Sequence, residues 1–200
     1  AGLATEAKLR QLADKGCPVY YFYSTERYLV RQAVAAATRI LTADSDEDAT
    51  VLDGAAPEIE QLIMAAGTIS FFGTRRVVVL PEIDPAAYSD KDLEELNSTL
   101  SSLENAVVVL GSVFELERSK LKTGKRAQKL IAQCKALGYT EELAKPKPFE
   151  LKMMMIDRAK EQKTTLPDGA AAALLERCGE EPFLLENEVD KLCALAGYQT

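Results

Sequence analysis

Phe71 and Phe72 stand side by side between Ile69-Ser70 and Gly73-Thr74, and the apolar run Val77-Val78-Val79-Leu80 that follows closes on Pro81-Glu82. Paired aromatics beside a glycine turn offer a hydrophobic contact rather than acid–base chemistry. A buried strand ending in a carboxylate is where a nucleotide hydrolase holds magnesium through water, yet here proline takes the place of the expected aspartate. The complementary element would be a glycine-rich turn after the first strand, whose backbone N–H groups, lysine and hydroxyl cradle phosphates. That turn reads Ser24-Thr25-Glu26-Arg27-Tyr28, with no glycine or lysine. Glu26 sets a negative charge where a triphosphate would lie. Ser24, Thr25, Glu26, Pro81 and Glu82 therefore read as a degenerate nucleotide site, with no catalytic residue, metal or cofactor expected.

Other chemistry is thinly supported. The chain has 200 residues, a formal charge of −7 and no histidine, so the commonest general base and metal ligand are missing. Cys17, Cys134, Cys178 and Cys193 lie apart among apolar neighbours without paired spacing, which predicts free buried thiols. Asp44-Ser45-Asp46-Glu47-Asp48 begins like a calcium loop, but Ala49 and Ala55 occupy the positions of the required glycine and glutamate. Gly124-Lys125-Arg126 resembles the end of a phosphate loop, with Ser119 where the first glycine belongs. Arg118, Lys120, Lys122, Lys125, Arg126, Lys129 and Lys135 predict a basic helix over residues 119–136, either a solvated face or a surface for DNA or an acidic subunit. The Met153-Met154-Met155 run predicts gap-filling in a helical core.

The elements that would position these residues alternate. A helix over residues 3–15 ends at Gly16, and Pro18 to Tyr23 forms a strand. Ser24-Thr25-Glu26 then caps a helix with the stripe Leu29, Val30, Ala33, Val34, Ala37, Ile40 and Leu41. A strand at 49–54 precedes a helix starting at Pro57, whose inward face is Ile59, Leu62, Ile63 and Ala66. Arg76–Leu80 and Ala106–Leu110 read as strands buried on both faces. Between them, Ser89 and Asp92 form a capping box before Leu93, Leu96, Leu100 and Leu103. A short strand opens near Gly138. This order predicts an α/β parallel sheet with helices on both faces over residues 1–145. Past Lys145-Pro146-Lys147-Pro148 only helical periodicity remains. Residues 146–200 read as a small three-helix bundle, with helices at 149–163, 167–178 and 182–196 and with Leu185, Val189, Leu192 and Cys193 inward. No window of about 20 uncharged apolar residues and no basic-then-apolar leader is present, so the chain reads as cytoplasmic.

The succession PVYYFYSTERYLVRQAV, TVLDG, SFFGTRRVVVLPE, AVVVLGS, KPKPFELKMMMIDRAK and GEEPFLLENEVDKLCALAG resembles, along essentially the whole chain, the delta subunits of bacterial DNA polymerase III clamp loaders. The resemblance implies an AAA+ (P-loop NTPase-like) domain followed by a helical lid. It implies a DNA-replication role in which a subunit grips the sliding clamp without hydrolysing ATP, inside a polymerase holoenzyme but with no catalytic site of its own. The clamp-binding pair falls on Phe71 and Phe72, flanked by Ile69, Ser70 and Thr74. Gly179 to Phe183 matches the place of a nucleotide-sensing arginine and carries none. Implied partners are the sliding clamp (beta subunit), the other loader subunits (delta prime and tau/gamma) and, indirectly or weakly, DNA. Lys120, Lys122, Lys125 and Arg126 are the possible DNA or subunit contacts. A further helical collar domain is implied after residue 200. Two alternatives stay open: an active AAA+ ATPase with an unusual nucleotide site, and a DNA-binding module using the 118–135 helix.

Overall fold

The structure, a computed structural model, describes residues 5–70 and 73–197. Helix α1 (Glu6–Asp14) precedes β1 (Val19–Ser24), α2 (Arg27–Thr42), β2 (Thr50–Val51) and α3 (Ile59–Gly67). Then come β3 (Arg76–Leu80), a 3-10 turn (Pro85–Ala87), α4 (Asp90–Ser101), β4 (Ala106–Val113), the hairpin strands β5 (Leu116–Glu117) and β6 (Lys120–Leu121), α5 (Lys125–Leu137) and β7 (Tyr139–Glu142). Helices α6 (Pro148–Glu161), α7 (Asp168–Cys178) and α8 (Pro182–Leu195) follow. The chain forms two compact units. Residue 9 through Ala144 make the α/β unit, and residues 5–8 group with the helices from Lys145 onward.

Five parallel strands make the sheet, in the order β2-β3-β4-β1-β7. Parallel strands need crossover helices, and those helices cover both faces, so the strand residues are apolar on both sides. On one face Val19, Tyr21, Val78, Leu80, Val108 and Leu110 pack with Leu62 of α3, Leu93, Leu96 and Leu100 of α4, and Leu130 of α5. Val30, Ala33, Val34 and Ala37 of α2 are buried as well. At Gly111 a Cβ would stand 2.3 Å from the Pro81 carbonyl oxygen and 2.8 Å from Val30 Cγ1, so glycine is what lets α2 and the end of β3 close on β4. Two buried hydroxyls on this sheet are paired: Ser112 Oγ donates to the Ile83 carbonyl at 2.7 Å and shares a hydrogen bond with the Tyr21 hydroxyl, also at 2.7 Å.

Several expectations are corrected. The basic helix does not begin at residue 119: Arg118 and Ser119, with φ of 51° and 64°, make the two-residue turn of a β-hairpin, and the helix begins only at Lys125. Positive φ at both central residues is the twist that matches a hairpin, and Arg-Ser lacks the Asn-Gly signature that would reveal it. Ser24 does not cap α2; its Oγ donates to the Leu143 carbonyl at 2.6 Å and accepts the Glu26 N–H at 3.1 Å. Ile63 is exposed, one position past the Ile59/Leu62 stripe, and Leu192 is exposed because Glu186 takes an inward place on α8 beside Leu185 and Val189. Cys17 and Cys178 are only half-buried, while Cys134 and Cys193 are buried; all four are free.

The helical unit is built on Leu151, Met155 and Ala159 of α6, Ala171 of α7, and Leu185, Val189 and Cys193 of α8. Of the methionine run, Met155 is core, Met154 packs against it and Met153 is exposed. Residues 5–8 join this unit, although the sequence placed them in the α/β domain, because the Glu186 carboxylate accepts the backbone N–H groups of Glu6 and Ala7 at 2.7 and 3.1 Å.

Candidate functional site

An open parallel sheet binds ligands outside the C-terminal ends of its strands, at the point where successive connections leave in opposite directions. Here that point lies between β1 and β4, and the N-terminus of α2 opens onto it. In a phosphate site this helix end would present bare N–H groups over a glycine turn. Here no glycine turn precedes the helix: Glu26, an exposed carboxylate that makes no side-chain cap bond, is the N-cap residue, and the Phe114 N–H donates to the Ser24 carbonyl at 2.8 Å. Beyond β3, Glu82 meets Arg27 from the first turn of α2: Arg27 Nε donates to both carboxylate oxygens, at 2.9 and 3.1 Å, and Nη2 lies 2.8 Å from Oε1. The carboxylate that could have faced a metal ion thus holds a guanidinium. Residues 27 and 82 stand 55 positions apart, and nothing in the sequence marks the pair. Among the described residues no group of three or more His, Cys, Asp or Glu is placed to hold a metal ion.

Segment 179–183, the place that the resemblance gives to a sensing arginine, is used for capping. The Glu181 carboxylate accepts the N–H groups of Phe183 and Leu184 at 2.9 and 2.6 Å, and Glu180 lies 3.4 Å from Lys145 Nζ.

The second candidate region is the turn between α3 and β3. Phe71 and Phe72 lie outside the described residues. Their flanks are ordered by specific contacts. Ser70 is buried and its hydroxyl shares a 3.0 Å hydrogen bond with Thr74, while Gly73, at φ 70°, donates to the Ser70 carbonyl. Arg75 reaches the carbonyls of Gly16 and Ala106, and Arg76 pairs with Glu47 at 2.7 Å. Leading into the turn, Ile69 is 88% exposed and Met64 74%, and Ile63 is also outward. Isolated exposed apolar residues are ordinary, but three within seven positions of one helix end form a patch. A groove of about 800 Å³ adjoins it, between the C-terminal ends of α3 and α4. Met64 belongs to this exposed patch, and sequence reasoning missed it. Its outward position needs only the helix phase set by Ile59 and Leu62.

The basic residues are dispersed. Lys120 and Lys122 stand on the hairpin and Lys125 and Arg126 on α5. Three basic residues face acidic ones: Arg126 Nε donates to Asp90 at 2.7 Å, Lys129 lies 3.6 Å from Glu94 and Lys122 lies 4.0 Å from Glu115. Arg126 holds the Asp90 carboxyl below its ordinary range through that hydrogen bond and its charge.

Sheet order, helices on both faces and a trailing helical unit define the class: this is an AAA+-like α/β fold with a small three-helix bundle. The clamp loader delta protein of Bacillus subtilis has a similar structure, with a TM-score of 0.69 and 24% identity over 96% of this chain and 58% of that one. A gamma subunit-related protein of DNA polymerase III from Thermotoga maritima is similar at a TM-score of 0.52 and 14% identity, over 76% of this chain and 49% of that one. In sequence, the DNA polymerase III subunit delta of Bacillus subtilis is 25% identical over 193 residues, which are 90% of this chain and 52% of the relative. The likeness to delta subunits read from the motifs therefore holds along the chain. The chain spans about half the length of that curated relative. No family model matches it.

Proposed function

We propose that this chain acts in DNA replication as a clamp-loader subunit of the delta type, docking on a sliding clamp through the turn after α3. The observation that carries the reading is the exposed apolar patch of Ile63, Met64 and Ile69, which runs into Phe71-Phe72 on a chain similar to delta subunits. Phe71 and Phe72, with Ile69, supply the hydrophobic anchor. Ser70 and Thr74 fix the base of the turn through their mutual hydrogen bond. Burying each phenylalanine contributes about 1.5–3 kcal/mol. Driving a closed ring from 1:99 to 99:1 open requires about 5.5 kcal/mol of differential binding, before association costs. The pair anchors the complex, and the flanking isoleucines and methionine add the apolar area that ring opening needs.

In the same reading the chain does not hydrolyse ATP. The support is local: an exposed glutamate in place of a glycine turn at the helix end where phosphates would sit, Pro81 after the strand, and Glu82 engaged by Arg27. The chain works beside the other loader subunits in the cytoplasm. Direct DNA binding by Lys120, Lys122, Lys125 and Arg126 gains no support from side chains split between two elements, two of which face carboxylates.

Binding of the chain to the sliding clamp of the same organism, measured on an immobilised clamp, tests the docking. The Phe71→Ala/Phe72→Ala variant is expected to bind about 100-fold more weakly or worse, with its thermal unfolding unchanged. Equal affinity of the variant and the unaltered chain sinks the reading. Calorimetric titration with ATP and magnesium is expected to give no binding heat.

A further inference from the structure

The groove beside the docking turn is electrostatically one-sided. Helices α3 and α4 both end at it, Ala66 and Gly67 on one wall and Thr99 and Ser102 on the other. Neither helix carries a basic residue in its last turn. Each therefore presents the negative end of its macrodipole, about half an elementary charge, with no side-chain cation of its own to offset it. Glu95 and Glu104 line the same groove, and both are exposed. Their situation differs from that of Asp90 and Glu94, on the other side of α4. Asp90 is taken up by Arg126 and Glu94 by Lys129, whereas Glu95 and Glu104 make no ion pair among the described residues. With the acids turned toward α5 neutralised and those of the groove, Glu95 on α4 and Glu104 just past its end, left without an ion pair, negative potential is held in the groove.

The walls are not uniformly polar. Ile63, Ile69 and Leu103 line the groove together with the two glutamates. An apolar wall ending in negative charge fits a long aliphatic stem with a cationic head, which is the amphipathic form of lysine and arginine. A bare metal ion would leave the apolar wall without use, and no metal-holding group of acidic or thiol side chains is present among the described residues.

We infer that this groove receives a lysine or arginine side chain from the same partner that accepts the Phe71-Phe72 turn, its stem lying along Ile63, Ile69 and Leu103 and its head facing Glu95, Glu104 and the two helix ends. The inference rests on the clamp-docking reading and adds to it a second contact of a different physical kind. The aromatic pair supplies salt-independent affinity. The groove supplies orientation and a salt-dependent on-rate, because charged contacts at an interface rim steer encounter and fix register.

The test uses the full chain and the purified sliding clamp, with affinity measured at about 50 mM and about 300 mM salt, on either side of the 0.1 M at which the screening length is about 10 Å. Glu95→Lys/Glu104→Lys is expected to weaken binding about 10- to 100-fold at low salt and only a few-fold at high salt. The neutral variant Glu95→Gln/Glu104→Gln is expected to lose about 2- to 10-fold and to flatten the salt dependence. A double charge change of the same size placed elsewhere, Glu117→Lys/Glu176→Lys, is expected to stay within twofold of the unaltered chain. Phe71→Ala/Phe72→Ala is expected to lose affinity equally at both salt concentrations. If both glutamate variants bind like the unaltered chain while the phenylalanine variant fails, the groove contact is overturned and the docking reading stands. An equal loss in the control pair marks a net-charge effect and also overturns the groove contact. If the unaltered chain does not bind the clamp at any salt concentration, both fall.

Discussion

In the α/β unit the strands themselves carry the core: Val78, Val108 and Leu110 are fully buried, and three helices lay leucines over them. In the helical unit the core is a short stack of seven buried residues across three helices, and a partly buried ionic cluster lies on α6 and α8. Arg158 of α6 makes a bidentate contact with Asp190 of α8, at 2.8 and 3.1 Å, and lies 3.8 Å from the buried Glu186. Glu186 in turn accepts the first N–H groups of α1. The first unit draws chiefly on its large apolar area. The second unit, with less area, leans on charged groups whose desolvation must be offset by good hydrogen bonds.

The sharpest way to break this comparison is to damage the smaller core alone. Leu185→Ala removes a fully buried side chain and is expected to cost about 2–5 kcal/mol. The loss should fall on the helical unit. It can be read from the buried thiols, since Cys193 sits in one core and Cys134 in the other, where burial pushes the Cys134 thiol up to about 12. The variant should expose Cys193 to a thiol reagent at lower urea concentration with Cys134 protection unmoved. Parallel loss at both thiols would mean that the two units do not hold their stability separately.

A smaller effect is expected from Gly138→Ala in the α/β unit. The added Cβ would stand 2.2 Å from the Val19 carbonyl oxygen and 3.0 Å from its carbonyl carbon. These are backbone atoms of a central strand, so relief requires moving β1 or β7, at about 1–3 kcal/mol. Cys134 protection should fall and Cys193 protection should not. An unchanged urea midpoint would show that the α5–β7 joint can shift freely.

The smallest effect concerns pH. Burial raises the Glu186 carboxyl above its ordinary value, and the Glu6 and Ala7 N–H groups and Arg158 oppose that rise without cancelling it. A carboxyl with a raised folded-state pKa binds its proton more tightly when folded. Its contribution is therefore present in full below the unfolded-state value and is lost as pH rises through the folded-state value. The Cys193 urea midpoint should decline as the pH is raised through the range just above ordinary carboxylate titration. Glu186→Gln should flatten that decline. A decline that survives the substitution would assign the pH dependence to another group.

The legible parts of this chain were those with strong periodic or compositional signals. Val77-Val78-Val79-Leu80 and AVVVL announced strands buried on both faces, and Lys145-Pro146-Lys147-Pro148 announced the change to helices. The 118–124 hairpin was illegible, because Arg118 and Ser119 take positive φ without the residues that usually signal it, and the surrounding lysines suit a helix equally well. In the candidate nucleotide site the missing glycines were visible in the sequence, but the occupation of Glu82 by Arg27 was not. At the turn between α3 and β3, the phenylalanine pair is visible in the sequence, whereas the outward position of Ile63 and Met64 depends on the phase of α3 against the sheet.

The sequence by itself determined the order of the sheet strands and of the main helices, the absence of phosphate-cradling residues and the likeness to delta subunits, since each is a property of residue types at near spacing. Only the tertiary structure decided which charges meet. Arg27 with Glu82, Glu186 with the start of α1, and the end of α3 with Glu95 and Glu104 are all long-range juxtapositions. Such contacts are set by how sheet and helices pack, and no local pattern encodes them.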